Sequence, residues 1–351
     1  MTEQTVAVIG AYGHTGRFVV AELRRRGLTP ILSGRDAGRL HALGAAHPGS
    51  EVRPASVDDP ASLDRALAGA AAVINCAGPF ASTSAAVLEA ALRARIPYLD
   101  VTAETEAVID TFAQYADRAR DAAIPVVPAM AFFGGLGDLL ATVAMGDWAA
   151  ADRISIAYAL SSWKPTHGTR ATGQVSAGRR DGRRIRYANH RLEFRTGEAP
   201  VTEWTFPEPI GTRAVVAEFT MADSATIPTH LSTREIHTYM SVDAVRDLRD
   251  PASPPPEATD AQGRSAQTFL VEVVAHAAGE TRRAVARGQD IYAVTAPLVV
   301  AAVQRILAVP GGPSGVFAAG ELFDARDFLR SLGPDHLTLD LPSVAGPRID
   351  R

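Results

Sequence analysis

Apolar and polar positions along this chain follow two regimes. From residue 5 to about residue 127, short apolar runs alternate with stretches whose apolar side chains recur at helical spacing. Val6 to Ile9, Pro30 to Leu32, Glu51 to Val57, Ala71 to Ile74, Tyr98 to Val101 and Ile124 to Val127 read as six strands. Helices are marked between them by Phe18, Val19 and Leu23, by Leu40, Leu43 and Ala46, and by Leu63 and Leu67. Ser84 to Ala94 and Thr105 to Ala122 continue the series, the latter with Val108, Phe112, Tyr115 and Ala119 as its apolar stripe. Strands with no polar face, joined through helices by short connections, predict a parallel sheet covered on both sides.

From about Met130 the pattern changes. Leu136 to Met145 reads as a helix and Ile154 to Leu160 as a strand. A loop at Thr166 to Thr169 leads into a helix through Val175. Strand-like segments follow at Arg184 to Phe194, Thr202 to Phe206, Val215 to Met221 and Glu235 to Met240, then two long strands within Ala266 to Ala286 around Ala278-Gly279. They predict an antiparallel or mixed sheet. The proline-rich stretch Asp250 to Glu257 reads as a solvated connector. Thr295 to Leu307 and Asp324 to Leu332 are the closing helices.

The first strand runs into Gly10-Ala-Tyr12-Gly13-His14-Thr15-Gly16, a glycine at every third position, and then a helix. Each glycine has a physical task. The first turns the chain off the strand, the second lets backbone approach a pyrophosphate, and the third lets the helix lie close to the sheet. The free N–H groups and dipole of that helix then face the phosphates. Strand, glycine turn, helix and strand within about thirty residues make the first unit of a dinucleotide-binding sheet. The expectation is therefore an α/β protein. Residues 1–128 form an N-terminal Rossmann domain, a doubly wound parallel sheet. Residues 129–290 form an α+β mixed-sheet domain for substrate binding and dimerisation, and residues 291–345 are C-terminal helices packing back on the first domain.

The end of the second strand selects the nucleotide. An acid there would accept from the ribose hydroxyls. The chain instead has Ser33-Gly34-Arg35-Asp36. A hydroxyl beside a guanidinium suits a 2′-phosphate, which predicts NADP(H). The competing reading makes Asp36 both the helix N-cap and the ribose partner.

Composition narrows the class. With 351 residues, 46% hydrophobic, two domains and a sizeable core are expected. The 35 basic and 39 acidic side chains create no field for a nucleic-acid partner. The lone Cys76 fits a reducing compartment, and no apolar run reaches bilayer-spanning length, so a cytoplasmic protein with no membrane span is expected. His47, His230, His237 and His276 are scattered, with no metal-site spacing.

Ligands of such sheets lie at the carboxyl ends of the strands. That rule selects Asn75, Ala77, Gly78 and Pro79 for cofactor contact and Phe80 for substrate contact. It also selects Asp100 and Glu104, carboxylates able to orient an amine or relay a proton, with helix capping as the alternative for Glu104. In the second domain His167 is the candidate proton donor, Lys164 and Arg170 are candidate anion holders, and Phe133 is a candidate substrate contact. Tyr98 and Tyr292 read as core aromatics before proton donors, and Cys76 as packing.

Gly10-Ala-Tyr-Gly13-His-Thr-Gly16-Arg17, Ser33-Gly34-Arg35, Asn75-Cys-Ala-Gly78-Pro79-Phe80 and Tyr98-Leu-Asp100-Val-Thr102-Ala-Glu104 together resemble the saccharopine dehydrogenase-like oxidoreductases. A looser likeness continues at Asp290-Ile-Tyr292-Ala-Val-Thr295-Ala296 and Gly315-Val316. The resemblance implies an NADP-binding Rossmann domain and hydride transfer to a C=N, C=C or C=O bond of a small or carrier-linked metabolite. An amino-acid or opine dehydrogenase working oxidatively and a non-catalytic NADPH sensor are the rival readings; a small-molecule substrate and a homodimer are expected. Ala103, where the family often has Gly, and the Phe132 to Asp138 loop depart from the family pattern on the presumed substrate side.

Overall fold

A computed structural model describes residues 4–343. The first three residues of the expected 1–128 segment, and residues 344 and 345 of the expected 291–345 segment, lie outside the described residues.

The N-terminal half alternates strand and helix: β1 (Thr5–Ile9), α1 (His14–Arg25), β2 (Thr29–Gly34), α2 (Ala37–Ala46), β3 (Glu51–Pro54), α3 (Pro60–Leu67), β4 (Ala72–Asn75), α4 (Phe80–Ala94), β5 (Tyr98–Asp100), α5 (Thr105–Asp121) and β6 (Pro125–Val127). Side-chain caps start two of these helices. Asp36 accepts from the N–H of Arg39, and Asp59 from that of Ser62 with Pro60 at the first helical position. A kinked turn at Phe132–Leu136, in which Phe133 and Gly134 leave the helical conformation, then leads into α6 (Gly137–Met145), β7 (Ala151–Leu160) and α7 (His167–Arg179). Next come β8 (Arg184–Ala188), β9 (Arg191–Arg195), β10 (Val201–Phe206), β11 (Gly211–Ala217), α8 (Asp223–Thr226), β12 (Thr233–Ser241), α9 (Val242–Arg249), β13 (Thr268–Ala277) and β14 (Glu280–Gln289). The chain closes with α10 (Thr295–Leu307), β15 (Gly315–Val316), α11 (Ala319–Leu322), α12 (Ala325–Leu332) and β16 (Thr338–Asp340).

The first sheet has strand order β15-β6-β5-β4-β1-β2-β3, with every pairing parallel. It is a doubly wound sheet whose order reverses between β1 and β4, so its crevice opens above Ile9 and Asn75, which are paired in register. The second sheet runs β10-β11-β12-β7-β13-β14-β16, with the β8–β9 hairpin attached to β12. It is mixed: β12 and β7 are parallel, while β13 pairs antiparallel with β7 and β14. One apolar core links the sheets, from Val6, Val8 and Val20 through Leu298 and Val299 of α10 and Leu139 of α6 to Ile156 and Val273. Helix α10 packs along α1, and α6 lies against β13 and β14.

The structure corrects several element bounds. Arg184 to Phe194 is a hairpin, because Asn189 and His190 turn the chain with φ of 53° and 60°. The segment expected at Val215 to Met221 is paired four residues earlier, as β11 (Gly211–Ala217). The parallel sheet has seven strands, the seventh being Gly315–Val316 beside β6. The C-terminal segment is therefore not purely helical, and β16 extends the second sheet.

Candidate functional site

The crevice of the first sheet is built by the glycine turn. Gly10 takes φ of 81°, and a Cβ there would lie 2.9 Å from the backbone nitrogen of Ala77, so the turn and the loop after β4 nearly touch. The N–H groups of Gly10 and Ala11 donate to the Ser33 carbonyl at 2.9 and 3.1 Å, tying the turn to β2. A Cβ on Gly16 would overlap the carbonyl of Gly10, so the third glycine sets how closely α1 meets the sheet. Gly13 is the N-cap, with no side chain over the helix start. His14 and Thr15 form the first turn of α1, whose free N–H groups favour an anion.

Two buried polar atoms flank this turn without a hydrogen-bond partner among the described residues: Ser33 Oγ and His14 Nε2. Burial pulls the His14 imidazole below its ordinary pKa. At the end of β2, Arg35 is exposed. Arg39, which the sequence reading missed, stacks over the Tyr12 ring at 4.6 Å. The signal for it was its place one helical turn beyond Arg35. The Tyr12 hydroxyl accepts from the Asp36 N–H at 3.3 Å, and the Asp36 carboxylate is occupied as the cap of α2. Two exposed arginines, Arg35 and Arg39, therefore follow the carboxyl end of β2, the second within the first turn of α2. With the glycine cradle, these residues fit a phosphorylated dinucleotide.

The loop after β4 is held by its own side chains. Asn75 Oδ1 accepts from Ala77 N at 3.0 Å, and its amide reaches Thr83 and Tyr98 at 3.4 Å each. Asn75 thus shapes the loop, and its amide is committed to the fold. Gly78 faces α7, where a Cβ would meet Thr172 Oγ1 at 2.9 Å. Pro79 is the N-cap of α4, and the Phe80 ring is buried beside Gly78. Cys76 is half-buried, and its thiol is pushed above the ordinary range by burial.

Both expected carboxylates are buried and engaged. Glu104 accepts from the N–H groups of Phe80 and Ala81 at 2.6 and 2.8 Å, and from Thr172. It thereby caps α4 from outside that helix. Asp100 accepts from Thr102 N at 3.0 Å, Ala129 N at 2.8 Å and the Tyr98 hydroxyl at 2.9 Å. Burial pushes the Asp100 carboxyl up to about 6 against the pull of these donors. The folded chain then keeps its proton to about pH 6, while an unfolded aspartate releases it near pH 4. This contribution to stability is complete below about pH 4 and is lost as pH rises through about 6. The loss is on the order of 3 kcal/mol, and urea unfolding from pH 4 to 7 should show it diminished in Asp100→Asn.

The candidates that follow β6 are dispersed. His167 is exposed at the first position of α7, whose cap is Thr166. The Arg170 guanidinium donates to the carbonyls of Asp250 and Ser253 at 3.0 and 2.9 Å, which fastens the proline-rich stretch to α7. Lys164 lines a cavity of about 170 Å³ with Ser162, Glu257, Gln267 and Tyr292, and its ammonium has no partner among the described residues. Phe133 is buried between Tyr158 and Trp163, at ring distances of 5.2 and 5.3 Å. Helix α7 is also bolted to α5. Glu106 accepts from Ser176 at 2.8 Å and Arg180 at 2.9 Å, and Arg179 pairs with Asp110 at 2.6 Å. No signal in the sequence linked these partners.

Residues 6–127 match the family model described as the saccharopine dehydrogenase NADP binding domain. Over 142 residues the chain is 31% identical to a probable mitochondrial saccharopine dehydrogenase-like oxidoreductase of Arabidopsis thaliana. That alignment takes in 36% of this chain and 31% of the relative, so the chain spans about a third of the length of that curated protein. Apo saccharopine dehydrogenase (L-Glu forming) from Saccharomyces cerevisiae superposes with a TM-score of 0.66 at 13% identity, covering 97% of this chain and 100% of that one, which is a likeness of fold.

Proposed function

We propose, for a chain whose residues 6–127 match the saccharopine dehydrogenase NADP-binding domain model, that the protein is an NADPH-dependent oxidoreductase. It delivers hydride to a C=N, C=C or C=O bond of a small or carrier-linked metabolite. The observation that carries the NADPH preference is the stretch after β2, where Arg35 and Arg39 are exposed while Asp36 is committed to capping. The nicotinamide supplies the hydride chemistry when bound. This chain's residues bind the phosphates at the start of α1. The buried Phe132, Phe133, Tyr158 and Trp163 make a dry wall beyond β6.

Titration with NADPH and NADH tests the reading. Arg35→Ala and Arg39→Ala should each weaken NADPH by about 10- to 150-fold, the equivalent of a charge-assisted bond of about 1.5–3 kcal/mol, and leave NADH unchanged. Equal affinity for the two nucleotides would remove the 2′-phosphate assignment. Binding of neither would remove the oxidoreductase reading.

The full engagement of Asp100 and Glu104 favours a second reading, an NADPH-binding protein without turnover. NADPH consumption with a panel of imines, enones and carbonyl compounds separates the two. Turnover of NADP⁺ with amino acids or opines would mark an oxidative dehydrogenase instead. The proposal includes a homodimer in the cytoplasm; a solution mass of 37.0 kDa would remove the dimer, and co-fractionation with mitochondria the compartment. No helix among the described residues is long and apolar enough to cross a membrane.

A further inference from the structure

Tyr292 stands where the glycine turn meets the second domain. Its ring meets the His14 imidazole edge-on, with centroids 5.1 Å apart, and His14 opens α1. Its hydroxyl reaches three groups of one segment: the Trp163 indole N–H at 3.3 Å, the Thr166 N–H at 3.3 Å and the Thr169 hydroxyl at 2.9 Å. Thr166 is the cap of α7 and accepts from Thr169 N at 3.0 Å. One side chain therefore holds the start of α7, between Lys164 and Arg170, against the dinucleotide turn.

Tyr292 is itself fixed. One oxygen of the buried Asp290 accepts from the N–H groups of Tyr292 and Ala293 at 2.9 and 3.0 Å, and the other accepts from Ser265 N at 2.7 Å. On the opposite side, His14 is wedged between Tyr292 and Phe18, the latter at 5.4 Å. Its Nε2 is buried and lacks a partner among the described residues. His14 is the first residue of α1, so a phosphate settling on that helix start bears on the segment that carries the imidazole. Tyr292 is the packed neighbour through which a shift of the imidazole would reach the second domain.

We infer that Tyr292 is a positioning residue that couples dinucleotide binding at the glycine turn to the placement of residues 163–170 in the second domain. The inference rests on the NADP(H) reading of that turn. It goes beyond it by naming a contiguous route, His14 to Tyr292 to Trp163, Thr166 and Thr169, of the packed and hydrogen-bonded kind that transmits coupling.

The chain has three tryptophans, so 5-fluorotryptophan labelling gives three ¹⁹F resonances, and Trp163→Phe assigns the relevant one. The labelled protein is titrated with NADP⁺, while calorimetry measures binding independently. The Trp163 resonance should move with the calorimetric midpoint, and those of Trp148 and Trp204 should not. In Tyr292→Phe, which keeps the ring against His14 and removes the hydroxyl, NADP⁺ should still bind but the movement should be lost. His14→Asn should lose it too, and serves if Tyr292→Phe fails to fold. A movement that persists undiminished in Tyr292→Phe overturns the inference, as does wild-type binding with a static Trp163 resonance. Absence of calorimetric binding to the wild type would instead overturn the NADP(H) reading beneath it.

Discussion

Gly16→Ala is expected to abolish NADP(H) binding and to cost about 3 kcal/mol of stability, the upper end for forcing extra volume into a packed site. Its Cβ would overlap the Gly10 carbonyl and lie 3.0 Å from that of Ala11. Neither neighbour is a side-chain end that can swing aside. Both belong to the turn whose N–H groups are bonded to Ser33. Relief requires lifting α1 from the sheet or opening the turn, and either moves the helix N–H groups away from the phosphates. Gly13→Ala is the control, since its Cβ would sit 3.1 Å from a single carbonyl, that of Gly10. It should remain folded and lose cofactor affinity alone. Urea unfolding and NADPH titration read the two effects separately. A Gly16→Ala protein as stable as wild type would refute the close-packing role.

The parallel sheet was legible because strands buried on both faces write themselves as apolar runs. The glycine turn was legible because its constraints act within seven residues. Gly315–Val316 carries no period at all and becomes a strand through pairing with β6, a contact fixed only by the tertiary fold. The Asn189-His190 turn lacks the glycine that usually announces a hairpin, so Arg184 to Phe194 reads as one segment. Helix α9 directly follows β12 at Ser241, with no intervening loop to mark the change of period.

The site divides the same way. Gly10, Gly13, Gly16, Ser33 and Arg35 have tasks set by neighbours in sequence or by the first βαβ unit. The residues around them do not. Glu104 meets the start of α4 from the far side of β5, Thr172 reaches Gly78 from the second domain, and Tyr292 returns to His14 from near the start of α10. A carboxylate at the end of a strand reads as chemistry when its partners are unknown. Here the partners of Glu104 are two main-chain donors and the Thr172 side chain. Arg170 likewise reads as an anion holder until its guanidinium is found on two carbonyls of the proline-rich stretch.

Glu104 is therefore where stability and chemistry give opposite expectations. Glu104→Ala leaves the buried N–H of Phe80 and the partly buried N–H of Ala81 without their acceptor. Each lost charge-assisted bond costs about 1.5–3 kcal/mol, so the pair amounts to about 3–6 kcal/mol. Glu104→Gln retains one acceptor but turns an amide N–H toward the second donor, and should recover about half of that. Because the same two bonds fix the Gly78–Pro79–Phe80 approach to α4, both variants should also weaken NADPH binding. A proton-relaying Glu104 predicts the reverse for Glu104→Gln: unfolding and NADPH affinity as in wild type, with turnover alone lost. Burial raises the Glu104 carboxyl, yet its first duty in this geometry is to hold two N–H groups that no other side chain reaches. Denaturation and NADPH titration of the two variants decide between these roles without knowledge of the substrate.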